Sequence, residues 1–343
     1  MKRRFFLLFV VILASPFPAR PQAARPLLFI QTIIMPGVPV GPYTDHLSVD
    51  LKARRLFTTP QAKKAVQVFD LASGKLLHEI DGLGNPHSVI YRSDLNRIYI
   101  VDGEPGLVRI YDGRDYRALQ TVKLLANADS AAYDPETRLM YVVNGGAEAH
   151  LDHSFISVID TTTGRHTADI SIPSPGLEAM ALESKGPDLY VNIIDGNEIG
   201  VVDRLKRKLV ATWPVTKGRR NIAIALDEDH HRLFVGCRNT DISGAIVIMD
   251  TQTGKELGTT LPIGGWVDYL AYDPATGCLY ATCGTGYVYV YQQHGPDHFD
   301  LIGKAETAVM AKTGLLVPEW KRFFVSVPHI ADTPAKVLVF QTP

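Results

Sequence analysis

The chain has 343 residues, 46% of them hydrophobic, with 35 basic against 36 acidic side chains and only three cysteines. That apolar content supports a packed core and excludes a disordered chain, while three cysteines cannot staple a small disulfide scaffold. Balanced charge also lacks the basic excess that electrostatic nucleic-acid binding requires, so a nucleic-acid partner is disfavoured.

The first feature is a leader. Lys2, Arg3 and Arg4 precede an unbroken apolar run, Phe5 to Ala14, followed by a Pro- and Ala-rich stretch from Ser15 to Pro26. The run is too short to span a bilayer, which disfavours an uncleaved anchor and predicts a secretory signal peptide over residues 1–24. Cleavage is expected between Ser15 and Ala24, although no clean A-x-A triplet stands there. The expectation is an exported protein, periplasmic or extracellular, with no transmembrane segment after signal removal. Loss of the three leading basic residues takes the formal charge from −1 to −4.

Next comes a lone apolar run, Leu28 to Ile34, and after it a repeat. A hydrophobic-aromatic step recurs at Leu56-Phe57, Ile98-Tyr99, Met140-Tyr141, Leu189-Tyr190, Leu233-Phe234, Leu279-Tyr280 and Phe323-Phe324, at intervals of 42 to 49 residues. Seven copies at that period predict an all-β, seven-bladed β-propeller with four antiparallel strands per blade. No segment sustains a helical periodicity, so helical solenoids are excluded. Each repeat divides into an inner strand (for example Ser88 to Tyr91), the aromatic strand, a third strand ending near an Asp or Gln, and an outer strand such as Leu76 to Ile80. The last repeat stops after its third strand at Val339-Phe340. The spare strand 28–34 fits the missing outer strand of the last blade and would close the ring, giving one domain over residues 27–343 with no internal linker.

Within blade three, Tyr141-Val142-Val143-Asn144 and then Ser157-Val158-Ile159-Asp160-Thr161-Thr162-Thr163-Gly164 resemble the YVTN-type repeat of exported bacterial and surface-layer seven-bladed propellers. The resemblance covers essentially the whole mature chain as a repeat grammar, with strict YVTN kept in no blade. It implies a fold and a compartment; the family is not tied to one reaction.

Inner strands of a propeller begin around one mouth of the central channel. Stepping back about twelve residues from each aromatic selects His46, His87, Asp129, Glu178, Asn221, Asp268 and Lys312, all polar, as a channel-mouth ring. Solvated side chains beside a water-filled channel are the competing explanation. His46, His87 and Asp129 fall on consecutive blades and offer donors for a divalent metal such as zinc or copper. Blade three carries the longest insertion, Asn144 to His153, which brings His150, Asp152 and His153 toward this face; the blade-seven loop adds His329 and Asp332.

Other features are structural by type. Asp70, Asp112, Asp160, Asp203 and Asp250 open hairpin turns. His230 and His231 are adjacent strand-end residues that point apart. Cys237 and Cys283 read as buried, with Cys278 nearer the surface, and no disulfide can be placed. No hydrolase, zincin, nucleotide or haem fingerprint occurs. Two functions remain open: a non-catalytic propeller binding a protein, peptide or small molecule over the loop-rich face, which is favoured, or a metal-assisted or acid/base lactone hydrolase or lyase at the channel mouth. For the enzyme, His46, His87, Asp129 and Glu178 would serve as ligands or acid/base groups, with Lys312 or Asn221 stabilising negative charge, since propellers resembling lactonases keep such groups there. Single-strand DNA binding, proposed for some propellers of this type, needs a basic aromatic groove that the charge balance disfavours.

Overall fold

A computed structural model describes residues 26–343; the leader expected over residues 1–24 lies outside the described residues. Alternating apolar residues between Gly, Asp and Asn turns form short strands, and these assemble into seven separate four-stranded antiparallel sheets arranged as the blades of a ring. Blade two illustrates the plan, from the inner strand Pro86–Arg92 through Arg97–Asp102 and Leu107–Asp112 to the outer strand Ala118–Lys123. The aromatic of every second strand is fully buried. Phe57, Tyr99, Tyr141, Tyr190, Phe234, Tyr280 and Phe324 are all at most 1% exposed. Their rings pack between blades, as where Tyr280 stacks on Phe323 at 5.1 Å between blades six and seven.

The ring closes as expected. Leu28–Ile34 pairs antiparallel with Lys336–Gln341, from Leu28 against Gln341 to Ile34 against Lys336, and supplies the fourth strand of blade seven. Ile33 then joins a cluster with Leu56 and Phe69 of blade one and Phe324, Val337 and Val339 of blade seven, so first and last blades share one core.

The turn aspartates behave as hairpin makers: Asp70, Asp112, Asp160, Asp203 and Asp250 each accept a backbone N–H from two or three residues on. His230 binds Asp227 through Nδ1 at 2.7 Å, and His231 occupies a left-handed turn position. One burial expectation is corrected. Cys278 is fully buried like Cys237 and Cys283, because it opens the second strand of blade six, where neighbouring blades cover both faces. All three are free thiols. Among the described residues are three short 3-10 turns, Gln61–Lys63, Ala147–Ala149 and Pro318–Trp320, too short to carry a sequence periodicity. No helix of the described residues is long and apolar enough to cross a membrane.

Candidate functional site

Four of the seven inner strands begin with a defect. In blade two the pairing moves from Pro86–Asp102 to Ser88–Val101, leaving His87 as an extra residue; blade five skips Ile222 and blade six skips Asp268 in the same way, and blade four shifts register between Leu177 and Met180, around Glu178. A β-bulge re-aims the extra side chain and ends the regular pairing. Here each bulge sits where the strand reaches the channel, and its side chain enters a cavity of about 370 Å³ at the channel mouth.

Six of the seven ring residues line that cavity: His46, His87, Asp129, Glu178, Asp268 and Lys312. Asn221 does not. It is fully buried, its Nδ2 donating to Asn192 Oδ1 at 2.9 Å and to the Glu198 carbonyl at 2.8 Å, and Ile222 takes the cavity position. The bulge explains the exchange, and so does the count. A step of twelve, held strictly, lands on Ile222 in blade five and on Asp45 in blade one, where a step of about twelve selects Asn221 and His46. Asp45 is the acid the sequence reading missed. Its backbone N–H donates to the Thr59 carbonyl of blade one at 3.1 Å, and the His46 N–H donates to the His87 carbonyl at 3.0 Å, which ties this segment to both the first and the second blade.

Asp45 and Asp129 flank His87. Its Nδ1 lies 2.8 Å from Asp45 Oδ2 and 3.4 Å from Asp129 Oδ1, while Nε2 faces the Asn85 amide at 2.9 Å. His46 stands beside this group, its Nε2 at 3.6 Å from Asp45 Oδ1, so the three donors that converge are Asp45, His87 and Asp129 rather than the expected set with His46. Across the cavity Asp268 is clamped by two cations, Lys312 at 2.6 Å and Arg238. Arg238 also lies over the Trp266 ring at 5.4 Å, and Lys312 over Tyr43 at 5.3 Å. Trp266 holds a left-handed backbone (φ 59°), an unusual state for a bulky residue, and its indole forms part of the wall.

Charges in the cavity are strongly perturbed. Burial alone would keep His87 neutral, but the carboxylates of Asp129 and Asp45, with Glu148 further off, outweigh it and raise the imidazole to about 9. Burial likewise opposes ionisation of Asp45, yet His46, His87 and Lys312 pull it down to about 2. Asp129 moves the other way, raised by burial and by Asp45 and Asp268 against the two histidines. Lys312, which burial would neutralise, is kept charged by Asp268 and Asp45.

Glu178 differs from all of these. Its carboxyl has no hydrogen-bond partner among the described residues; burial, then Asp129 and Asp268, raise it well above the usual range against the opposing pull of Arg238 and Lys312. A carboxyl raised on folding keeps a proton that the unfolded chain releases, so it draws down stability as pH climbs above its unfolded value. Glu178→Gln is therefore expected to melt higher than wild type at pH 8 and at the same temperature at pH 4, where both side chains are neutral. Scanning calorimetry at the two pH values checks this, and an equal difference at both would refute it.

The loop residues lie elsewhere. His150 and Asp152 are exposed, and His153 binds its neighbour Asp152 at 2.7 Å. The 3-10 turn Ala147–Ala149 folds the insertion so that Glu148, not a histidine, reaches the cavity. His329 is spent on structure, its Nδ1 meeting the Val38 carbonyl at 2.7 Å, and Asp332 is an exposed turn residue.

No family model matches the chain, and no curated protein does. Solved structures do. A chain of the Kuenenia stuttgartiensis hydrazine synthase structure superposes with a TM-score of 0.73 at 16% identity, over 90% of this chain and 99% of that one. A chain of the mitotic checkpoint complex gives 0.73 at 14% identity over 100% and 99%, and the WD40 repeats of RRP9 give 0.73 at 13% over 92% and 98%. At such identities the likeness carries the fold alone: this chain is a seven-bladed β-propeller of WD40-like architecture, a scaffold type that commonly binds ligands or partners.

Proposed function

We propose that the chain is an exported, non-catalytic propeller of the YVTN type that binds a small polar molecule at the channel mouth. The basic-apolar start of the sequence and the repeat grammar of blade three support export and the subgroup. One observation carries the binding site. Bulged or strand-leading residues of the blades converge on a single cavity that is negative on the side of Asp45, Asp129 and Glu148, with the Glu178 carboxyl beside them, and positive where Lys312 and Arg238 outnumber Asp268. Its volume of about 370 Å³ falls in the range of small-molecule pockets, and opposite charge at its two ends selects a dipolar ligand rather than a polyanion such as single-stranded DNA.

A thermal-shift screen of amino acids, hydroxycarboxylates and lactones tests this. A ligand at a hundred times its Kd stabilises by about 2.7 kcal/mol, a shift of several degrees. The binder is expected to lose at least about tenfold in affinity, about 1.4 kcal/mol, in Lys312→Met and in Asp45→Asn. A binder indifferent to both substitutions would place the ligand elsewhere and overturn the assignment.

A further inference from the structure

We propose that Asp45, His87 and Asp129 hold a divalent first-row transition ion, zinc being the best match to the donors, at the negative end of the cavity. This deepens the ligand-site reading and rests on it.

An imidazole nitrogen and two carboxylate oxygens, from three consecutive blades, all lie within 4.8 Å of one another. These are zinc donor types, bound at about 2.0–2.2 Å, so two donors on one tetrahedral ion stand about 3.3 Å apart. The 3.4 Å between His87 Nδ1 and Asp129 Oδ1 already has that value. Asp45 Oδ2, at 2.8 Å from the same nitrogen, has to withdraw by about half an ångström to give it as well.

The surroundings are arranged for a metal-bound ring. His87 presents Nδ1 to both carboxylates, and its far nitrogen Nε2 meets the Asn85 amide at 2.9 Å, the outer contact that orients a ligating imidazole when the amide oxygen is turned toward it. The Gln61 amide Nε2 donates to Asp45 Oδ2 at 3.0 Å, an outer contact that holds this carboxylate in place. The remaining side opens onto the cavity. Three protein donors with one open side are the pattern of zinc sites that accept an exogenous oxygen. Lys312 and Arg238 at the opposite end then suit a second anionic oxygen of the same molecule. The ligand class that follows is a small hydroxycarboxylate or related oxygen chelator, held by the ion at one end and by the two cations at the other.

The test uses chelator-treated protein at pH 8, titrated with Zn²⁺ by calorimetry and with Co²⁺ by visible absorption. One ion per chain is expected, with affinity lowered about 100-fold or more in both His87→Gln and Asp129→Asn, whose melting curves verify folding. The exposed pair His294 and His298, which flanks Asp300 at 3.4 and 3.6 Å, supplies the control: a His294→Ala/His298→Ala double variant keeps the affinity. No stoichiometric uptake by wild type, or uptake undiminished in Asp129→Asn, overturns the metal site. If uptake fails while a screened molecule still binds in a Lys312-dependent manner, the ion assignment falls and the ligand cavity stands; failure of both removes both.

Discussion

Replacing Ile33 with aspartate is expected to lower the melting temperature by about 8 °C or more, whereas the same change at Ile34 leaves it nearly unmoved. The two residues are neighbours in the strand that closes the ring, and successive side chains of a strand face opposite sides. Ile33 is 1% exposed, opposite Val337 and packed with Phe69 of blade one and Phe324 of blade seven; Ile34 is 50% exposed. A carboxylate at position 33 loses the apolar contact and gains a buried charge without a partner, together about 4 kcal/mol. The effect exceeds that of an ordinary core site because a propeller has one seam, and loosening it frees the edge strands on either side. Circular dichroism melts of the two variants decide the matter. Equal loss at both positions would mean that the strand is held by backbone pairing alone.

Asp268→Asn is expected to lose about 3 kcal/mol in denaturant unfolding. Asp268, Lys312 and Arg238 have side chains only 12%, 14% and 10% exposed, so removing the one carboxylate leaves two cations facing each other in a poorly solvated wall. Lys312→Met, which leaves the Arg238–Asp268 pair intact, is expected to lose about 1 kcal/mol. Asp115→Asn serves as the contrast: it removes an equally recognisable contact with Arg117, but at 64% and 56% exposure, and changes stability by less than about 0.5 kcal/mol. If Asp268→Asn proved as mild as Asp115→Asn, water would have to reach the clamp, and the positive end of the cavity would be too screened to select a ligand.

Much of the fold was legible in the sequence because its signals are local and repeated. A buried aromatic every 42 to 49 residues reports one blade each, and the strand 28–34, too many at one end, answers a strand too few at the other. The site was legible only in part. Six of seven ring residues reach the cavity, yet Asn221 turned into the core and Asp45 went unnoticed. At Asn221 the cause is a bulge, and at Asp45 it is the irregular segment that leads into Ser48–Asp50. In neither place does local composition give the register, because a residue at a bulge or strand entry differs from its neighbour only in which way the chain is bent. A uniform step of twelve carries that information, but nothing in the polarity of Asp45-His46 or Asn221-Ile222 says that the step must be uniform.

The position of the loop residues was hidden for a different reason. His150, Asp152 and His153 stand out by composition and loop length, and a 3-10 turn sets the path of the insertion so that Glu148 lines the cavity and these three do not. The 3-10 turn has no periodic signature to read. Gln61, Asn85, Arg238 and Trp266 are invisible in the same sense: ordinary loop residues until the blades are placed around an axis.

Period, strand alternation and turn chemistry thus determined the architecture from the sequence by itself, since each acts over a few residues and recurs seven times. Tertiary structure decided the chemistry. Asp45, His87 and Asp129 are 42 residues apart in sequence at each step, and only closure of the ring brings their donor atoms within 4.8 Å. The perturbed charges follow from that convergence, because burial and the neighbouring charges that shift a pKa are properties of the assembled channel mouth and of no single repeat.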